Sequence, residues 1–533
     1  MVESSSVAVH ARRWRGAFLV LFVLALACKV VIAATLSPFG DEAFYWQESL
    51  YPAWGYSDLP PATAWLIAAS EAVFGHGLLA MRLPFLLLGA AVPWQVAALA
   101  ARAGGGPAAP WQAAVFATCL PLVGSLGVLA LPDVPLTFAI VLATQGLVRA
   151  LETNRKRDGL LLGVGLALAW ATHYRAGMAV LAGLVFVTCM PRGRHALRRA
   201  WFWVAMAVAA MGLVPLVVYN VAARGAGVSF QLVERNPWRF HADALVQPLE
   251  QAVACTPCLY VVLLCVLWWS WRRRASAPLD VLAVLAGTFV IAYFLLGLFA
   301  DDLRFRAHWP LPGYLLLCAA LPPWLAHASH RMRVFARVSL VVGGAGLLVG
   351  LAYLGLAASP RGAVALAGTK AFPSNFTGWR DAAAALPPRG TGALIVADNF
   401  MLAAELRFSL GAHVPVYSLD NPLNAKHGRA PQLRAWSLDE QALAMRAGTP
   451  VVLAVDETAL RERDTRAWLG SLCQRVDIIR PLGRVDAFGG RRRFAFYEAR
   501  ARAVPGPAAN PDTCVVWMDA WRALGQGDAG RAQ

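Results

Sequence analysis

The feature that most constrains this chain is a recurring run of about twenty apolar residues, the length an α-helix needs to cross ~30 Å of hydrocarbon. Such runs lie near 17–36, 80–101, 110–131, 134–151, 200–222, 247–271, 278–299, 310–328 and 334–357. The stretch 159–190 is too long for one crossing, and its polar triplet His173-Tyr174-Arg175 divides it into two arms, read as two helices meeting at the outer surface. The runs predict eleven crossings, and 61–75, as an interfacial helix or a further pair-forming segment, widens the expectation to 11 to 13 transmembrane helices. With 58% hydrophobic and 15% charged residues and a mean hydropathy of +0.52, no soluble fold hides this much apolar surface. A cytosolic enzyme, a disordered chain and a secreted disulfide scaffold are excluded together.

Charge sets the topology. The net charge of +17 and pI near 10.0 resemble a nucleic-acid footprint until the basic residues are placed. Threading from a cytoplasmic N-terminus puts Arg12/Arg13/Arg15, Arg155-Lys156-Arg157, Arg192/Arg194/Arg198/Arg199, Arg272-Arg273-Arg274 and Arg331/Arg333 on one side, as the positive-inside bias requires. Most of the excess is therefore topological, and no nucleic-acid partner is read. The charged start and the small Ala33-Ala34 pair would also fit a cleaved signal peptide, but a retained first span is the preferred reading.

Residues 1–357 form the expected transmembrane domain, and from about 358 the composition changes to short apolar runs with charges of both signs. Strands are expected at 392–397, 414–417, 450–455 and 493–497, with a helix over 400–411, which makes 358–505 a soluble α/β domain on the outer side. The tail 506–533 reads as mostly loose. Among nine cysteines, Cys473 and Cys514 fall where oxidation is permitted, and either a disulfide or two thiols suits them. Cys255 and Cys258 lack a second pair or a histidine at metal spacing, so packing or an incidental disulfide is favoured there over a metal site.

Polar residues that carry chemistry gather in the outer loops. Gly40-Asp41-Glu42-Ala43-Phe44-Tyr45-Trp46 follows the first span directly, and adjacent carboxylates at a membrane exit are costly unless solvated or used. Trp54-Gly55-Tyr56-Ser57-Asp58-Leu59-Pro60-Pro61 adds a third carboxylate among aromatics and rigid prolines. Leu131-Pro132-Asp133-Val134-Pro135 places an acid at an outer turn, where helix capping and a functional role are both open.

These motifs, in order with Thr172-His173-Tyr174-Arg175 and Ala307-His308-Trp309-Pro310-Leu311-Pro312, resemble those of the integral-membrane glycosyltransferases that use lipid-linked sugars, the GT-C class. That class includes protein O-mannosyltransferases and the lipid A aminoarabinose transferase, and the segment from Ala397 to Leu419 is similar to the soluble domain of its bacterial members. The resemblance implies a multi-pass protein of a bacterial-type inner membrane with a periplasmic C-terminal domain. It implies a sugar donor on polyprenyl phosphate, membrane lipids as surroundings, and a hydroxyl acceptor on a lipid, a glycan or a protein.

A hydroxyl attacking an anomeric carbon needs a carboxylate to take its proton, and the departing phosphate needs cationic or hydrogen-bonding groups. The resemblance makes Asp41 the general base, with Glu42 orienting the acceptor and Asp133 organising the site. Asp58, Tyr45, Trp46 and Tyr56 are the acceptor-side candidates. His173, Arg175, Arg304, Arg306 and His308 are those for the phosphate, since an arginine fork suits phosphate oxygens. No cofactor is read, although the Asp41 and Asp133 carboxylates leave room for a divalent cation. Two departures from the pattern stand out: Leu59 occupies a position usually basic, and His173 one that is often lysine. A lipid or sugar transporter and a non-catalytic family member are the alternatives. The first fits poorly, because the chain has no internal repeat and its polar groups collect at one face.

Overall fold

The computed structural model describes residues 2–234, 238–299, 308–387, 392–459 and 462–503, together with Cys514 and Met518. Arg304 and Arg306 lie outside the described residues, as does nearly all of the tail. The chain divides into two compact units: Met1–Ala34 with Ala53–Tyr353, and Thr35–Pro52 with Leu354–Gln533.

The first unit is helical. Six helices among the described residues are long and apolar enough to cross a membrane: Val7–Thr35, Leu78–Ala103, Asp133–Thr153, Ala200–Ala222, Leu279–Gly297 and His330–Ala357. A seventh is added if the bent pair Ala242–Cys255 and Pro257–Arg272 is counted as one span. Over 247–271, expected as a single crossing, the helix is not continuous, because the two parts meet at 110°. Thr256 stands at the break with φ 67°, and Pro257 has no N–H to continue the helical ladder and disfavours helix at the residue before it. The stretch 110–131 also breaks, into Ala109–Thr118 and Pro121–Gly124, again at a proline.

One hairpin in this unit positions chemistry. Asp133–Thr153 and Lys156–Thr172 are helices of 21 and 17 residues joined at Asn154, whose φ of 55° reverses the chain. They pack with backbones nearly touching: a Cβ on Gly146 would come 2.2 Å from the Leu162 nitrogen, and one on Gly165 2.6 Å from that of Ala143. Small residues at such a seam let apolar helices gain van der Waals contact where no hydrophobic force separates lipid from protein. Two helices of similar length running antiparallel return the chain to the end where Asp133 begins.

The second unit is a layered α/β body around a five-stranded sheet, β1 Leu394–Ala397, β2 Val416–Ser418, β3 Pro450–Asp456, β4 Val476–Ala487 and β5 Arg492–Ala501, in the order β2-β1-β3-β5-β4. β1 pairs in parallel with β2 and β3, while β5 pairs antiparallel with β3 and β4. Helix Phe400–Leu410 starts where the Asn399 side chain accepts from the Leu402 N–H at 3.0 Å and ends at Gly411, φ 100°. Four strands fall near the apolar runs; β4 has none, because it is a mostly uncovered edge strand carrying Pro481 and Gly483, with register shifts between Ile478 and Arg480 and between Pro481 and Gly483.

Residues 35–52, which the sequence reading kept in the first domain, belong to this second unit. Helix Gly40–Ser49 is the cause. Ala43 and Phe44 are fully buried in the same apolar cluster as Val396, Phe400, Leu453 and Tyr497, and Trp46 stacks edge-on against Phe408 with centroids 5.0 Å apart. Tyr51 stacks on Trp436 at 5.1 Å and accepts a hydrogen bond from Arg407 Nη2 at 2.9 Å. The Cys473–Cys514 disulfide is formed in this unit, whereas Cys255 and Cys258 of the first unit remain thiols.

Candidate active site

In the first unit the helical hairpin delivers Asp133 and the triplet His173-Tyr174-Arg175 to one end. Asp133 opens its helix without a capping hydrogen bond. Its Oδ1 instead accepts from Arg175 Nη2 and lies 3.0 Å from His308 Nε2. The triplet breaks the chain between helices Lys156–Thr172 and Ala176–Cys189 because His173 is extended, φ −159° and ψ 143°. The Arg175 backbone N–H donates to His173 Nδ1 at 3.0 Å, and its guanidinium lies 5.3 Å from the centroid of Trp309. Four expected residues thus converge: Asp133, His173, Arg175 and His308. The Asp133, Arg175 and His308 side chains keep 24%, 13% and 35% exposure, so the cluster is open to a ligand. The Arg175 Nε–H donates to His173 Nε2 at 3.3 Å and Nη2 to Asp133, and the remaining guanidinium N–H groups suit phosphate oxygens.

The loop carrying Tyr56 and Asp58 also lies in this unit. The Tyr56 N–H donates to the Leu59 carbonyl at 2.9 Å, and Gln231 Nε2 donates to the Asp58 carbonyl at 2.7 Å. Asp58 keeps 5% exposure and Tyr56 none.

In the second unit helix Gly40–Ser49 divides its acids by role. Glu42, fully buried, accepts from the Phe39 N–H at 3.2 Å, the half of a capping box that satisfies an orphan donor at a helix start. Trp46 has no exposure and Tyr45 only 6%, so the aromatic run of this motif is mainly packing. Asp41 differs, with 24% of its side chain exposed. Its Oδ1 accepts from Arg429 Nη2 at 3.2 Å and lies 3.8 Å from His427 Nδ1. Among the described residues Oδ2 has no hydrogen-bond partner. A carboxylate with one oxygen anchored and the other open is suited to accept a proton from a bound hydroxyl.

Arg429, His427 and Glu48 are in no motif singled out in the sequence. Glu48 lies seven residues after Asp41, two helical turns and so the same face, which is the one signal that an acid pair awaits a cation. Nothing in the sequence marks Arg429, 388 residues from Asp41. Among the described residues no group of three or more His, Cys, Asp or Glu side chains converges as a metal site.

Comparison with known proteins agrees with the motifs. Residues 58–219, which include Asp133, His173 and Arg175, match the family model for dolichyl-phosphate-mannose-protein mannosyltransferase. The chain is 27% identical over 380 residues to the lipid A galacturonosyltransferase RgtD of Rhizobium johnstonii, spanning 70% of this chain and 77% of that one. Its fold is that of ArnT from Cupriavidus metallidurans: the crystal structure with undecaprenyl phosphate bound aligns at a TM-score of 0.62 and 16% identity, covering 90% of this chain and 98% of ArnT. The apo form aligns at 0.58. From its ordered motifs, its apolar helices and these likenesses, the chain is a membrane protein similar to the integral-membrane glycosyltransferases of the GT-C class.

Proposed function

We propose that this protein transfers a sugar from a polyprenyl-phosphate donor to a hydroxyl of lipid A or another envelope glycan, at the outer face of the inner membrane. The acceptor hydroxyl attacks the anomeric carbon, the bond from that carbon to the phosphate oxygen breaks, Asp41 takes the hydroxyl proton, and polyprenyl phosphate leaves as the anion. Arg175 and His308 hold the phosphate, with Asp133 orienting both. The observation that carries this reading is the state of Asp41: one carboxylate oxygen anchored by Arg429, the other open on a partly exposed side chain. The likeness to RgtD supports lipid A as the acceptor class, and the likeness to ArnT supports an undecaprenyl-type carrier.

In this reading the bent pair is one crossing, and Ala109–Thr118, Lys156–Thr172, Ala176–Cys189 and Leu311–His327 cross as well, which with the six long helices makes eleven, the lower end of the 11 to 13 expected. The N-terminus then faces the cytoplasm and the sheet-bearing unit the periplasm, where a Cys473–Cys514 disulfide persists. The test is mass spectrometry of lipid A, other envelope glycans and glycoproteins from cells with and without the gene. Loss of one sugar mass from lipid A is expected. Unchanged envelopes under conditions of expression would overturn the transferase reading, and loss from a protein alone would overturn the acceptor.

A further inference from the structure

We propose that Arg429 is a positioning residue for Asp41, fixing which carboxylate oxygen is anchored and which is left for the acceptor hydroxyl. The proposal rests on the reading of Asp41 as the base. Arg429 keeps only 2% exposure, yet its fork reaches two acids of one helix face: Nη2 lies 3.2 Å from Asp41 Oδ1, and Nη1 3.5 Å from Glu48 Oε1. Its guanidinium sits among three rings, 4.3 Å from the centroid of Phe44, 4.9 Å from Tyr45 and 5.7 Å from Phe400. Phe44 and Tyr45 come from the same motif as Asp41, so two of its three rings wall the cation, while the third, Trp46, packs on Phe408.

The backbone is fixed too. The Arg429 N–H donates to the Asn424 carbonyl at 2.7 Å, while the Asn424 side chain ties to the Leu419 carbonyl at the end of β2 and accepts from the Phe400 N–H. A planar, permanently charged fork held this way can set the rotation of a carboxylate, which a flexible ammonium cannot. Glu48, with 2% side-chain exposure, serves as the buried counter-charge, so the partly exposed Asp41 is free to change protonation without stranding Arg429. His427, 3.8 Å from the same Oδ1 and 5.3 Å from the Phe400 ring, closes the anchored side.

The test compares Arg429→Lys, the double variant Arg429→Gln with Glu48→Gln, and Asp41→Asn, in purified full-length protein. The probe donor is undecaprenyl phosphate bearing the sugar identified from the envelope comparison. The double variant removes a cation and an anion together, so it does not strand a buried charge, and Arg429→Lys keeps the charge but loses the fork. Both are expected to lower kcat, the double variant by about 100-fold, the scale of a misplaced reacting group, with the donor KM within about twofold of the parent. Arg429→Lys is expected to lose about tenfold, less than the double variant because it keeps the charge. Full kcat in the double variant, with Asp41→Asn inactive, would overturn the positioning role and leave the base intact. Full kcat in Arg429→Lys would overturn it as well, and remains readable if the double variant does not fold. Transfer by Asp41→Asn at the parent rate would instead sink the base reading on which the proposal stands.

Discussion

The two polar clusters of this chain are built on opposite plans. Asp133, Arg175 and His308 form a compact group whose members all keep some exposure, and the arginine is the most covered of the three at 13%. Around Asp41 the cation is sealed at 2% exposure among aromatic rings, with the buried Glu48 as its counter-charge, while the Asp41 carboxylate opens outward. A partly open guanidinium can exchange its protein partner for a ligand anion; a sealed one can only hold its own carboxylates in place. This difference is the ground for proposing ligand binding for the first arginine and orientation for the second.

The sharpest way to break this contrast is at the open arginine. Arg175→Ala is expected to lower kcat/KM about 100-fold, the scale of losing a charge-assisted contact to the donor phosphate, chiefly through the donor KM. Arg175→Lys should recover part of the loss. A change confined to acceptor KM would reverse the assignment and make this cluster the acceptor side.

A smaller effect is expected from a third acid. Asp398 follows β1 with no exposure, and Asp456 at the end of β3 is paired with Arg492 at 3.1 Å. Burial first, and then the neighbouring Asp456 carboxylate, push Asp398 well above the usual carboxylate range, although Trp468, Asn399 and the Asp456 N–H donate to it. A carboxyl raised in the folded state binds its proton more tightly there than in the unfolded chain. Its contribution to stability is complete below about pH 4 and is lost as pH rises through the folded value. Hydrogen exchange of peptides covering β1 and β3 should show an opening free energy that falls across that window in the parent, with most of the slope removed by Asp398→Asn. A slope unchanged in the variant would contradict this account of Asp398.

The sequence was informative where chemistry and local structure coincide. Asp133, His173, Arg175 and His308 stand in short motifs at ends of apolar stretches, and a hairpin of two helices of similar length is enough to gather the first three. It was silent where a contact closes across the chain: Arg429 follows no motif, and its cage exists only because helix Gly40–Ser49 is buried against Phe400. Glu42 and Trp46 stood out because they lie beside Asp41, yet one caps the helix and the other packs on Phe408. The missed bend at Thr256 has a plainer cause: apolar composition reports what lipid tolerates, while Pro257 decides where the helix stops.

The most direct test of the central claim is sugar transfer by Asp41→Asn protein, reconstituted in vesicles with the polyprenyl-phosphate donor and lipid A and compared with the parent at equal folded amount. Asparagine keeps the shape and can still accept from Arg429 through its carbonyl oxygen, but it has no basic oxygen for the hydroxyl proton. The account predicts a fall of at least about 1,000-fold in kcat with donor KM little changed, within the range for loss of a general base. Transfer within about threefold of the parent would contradict it.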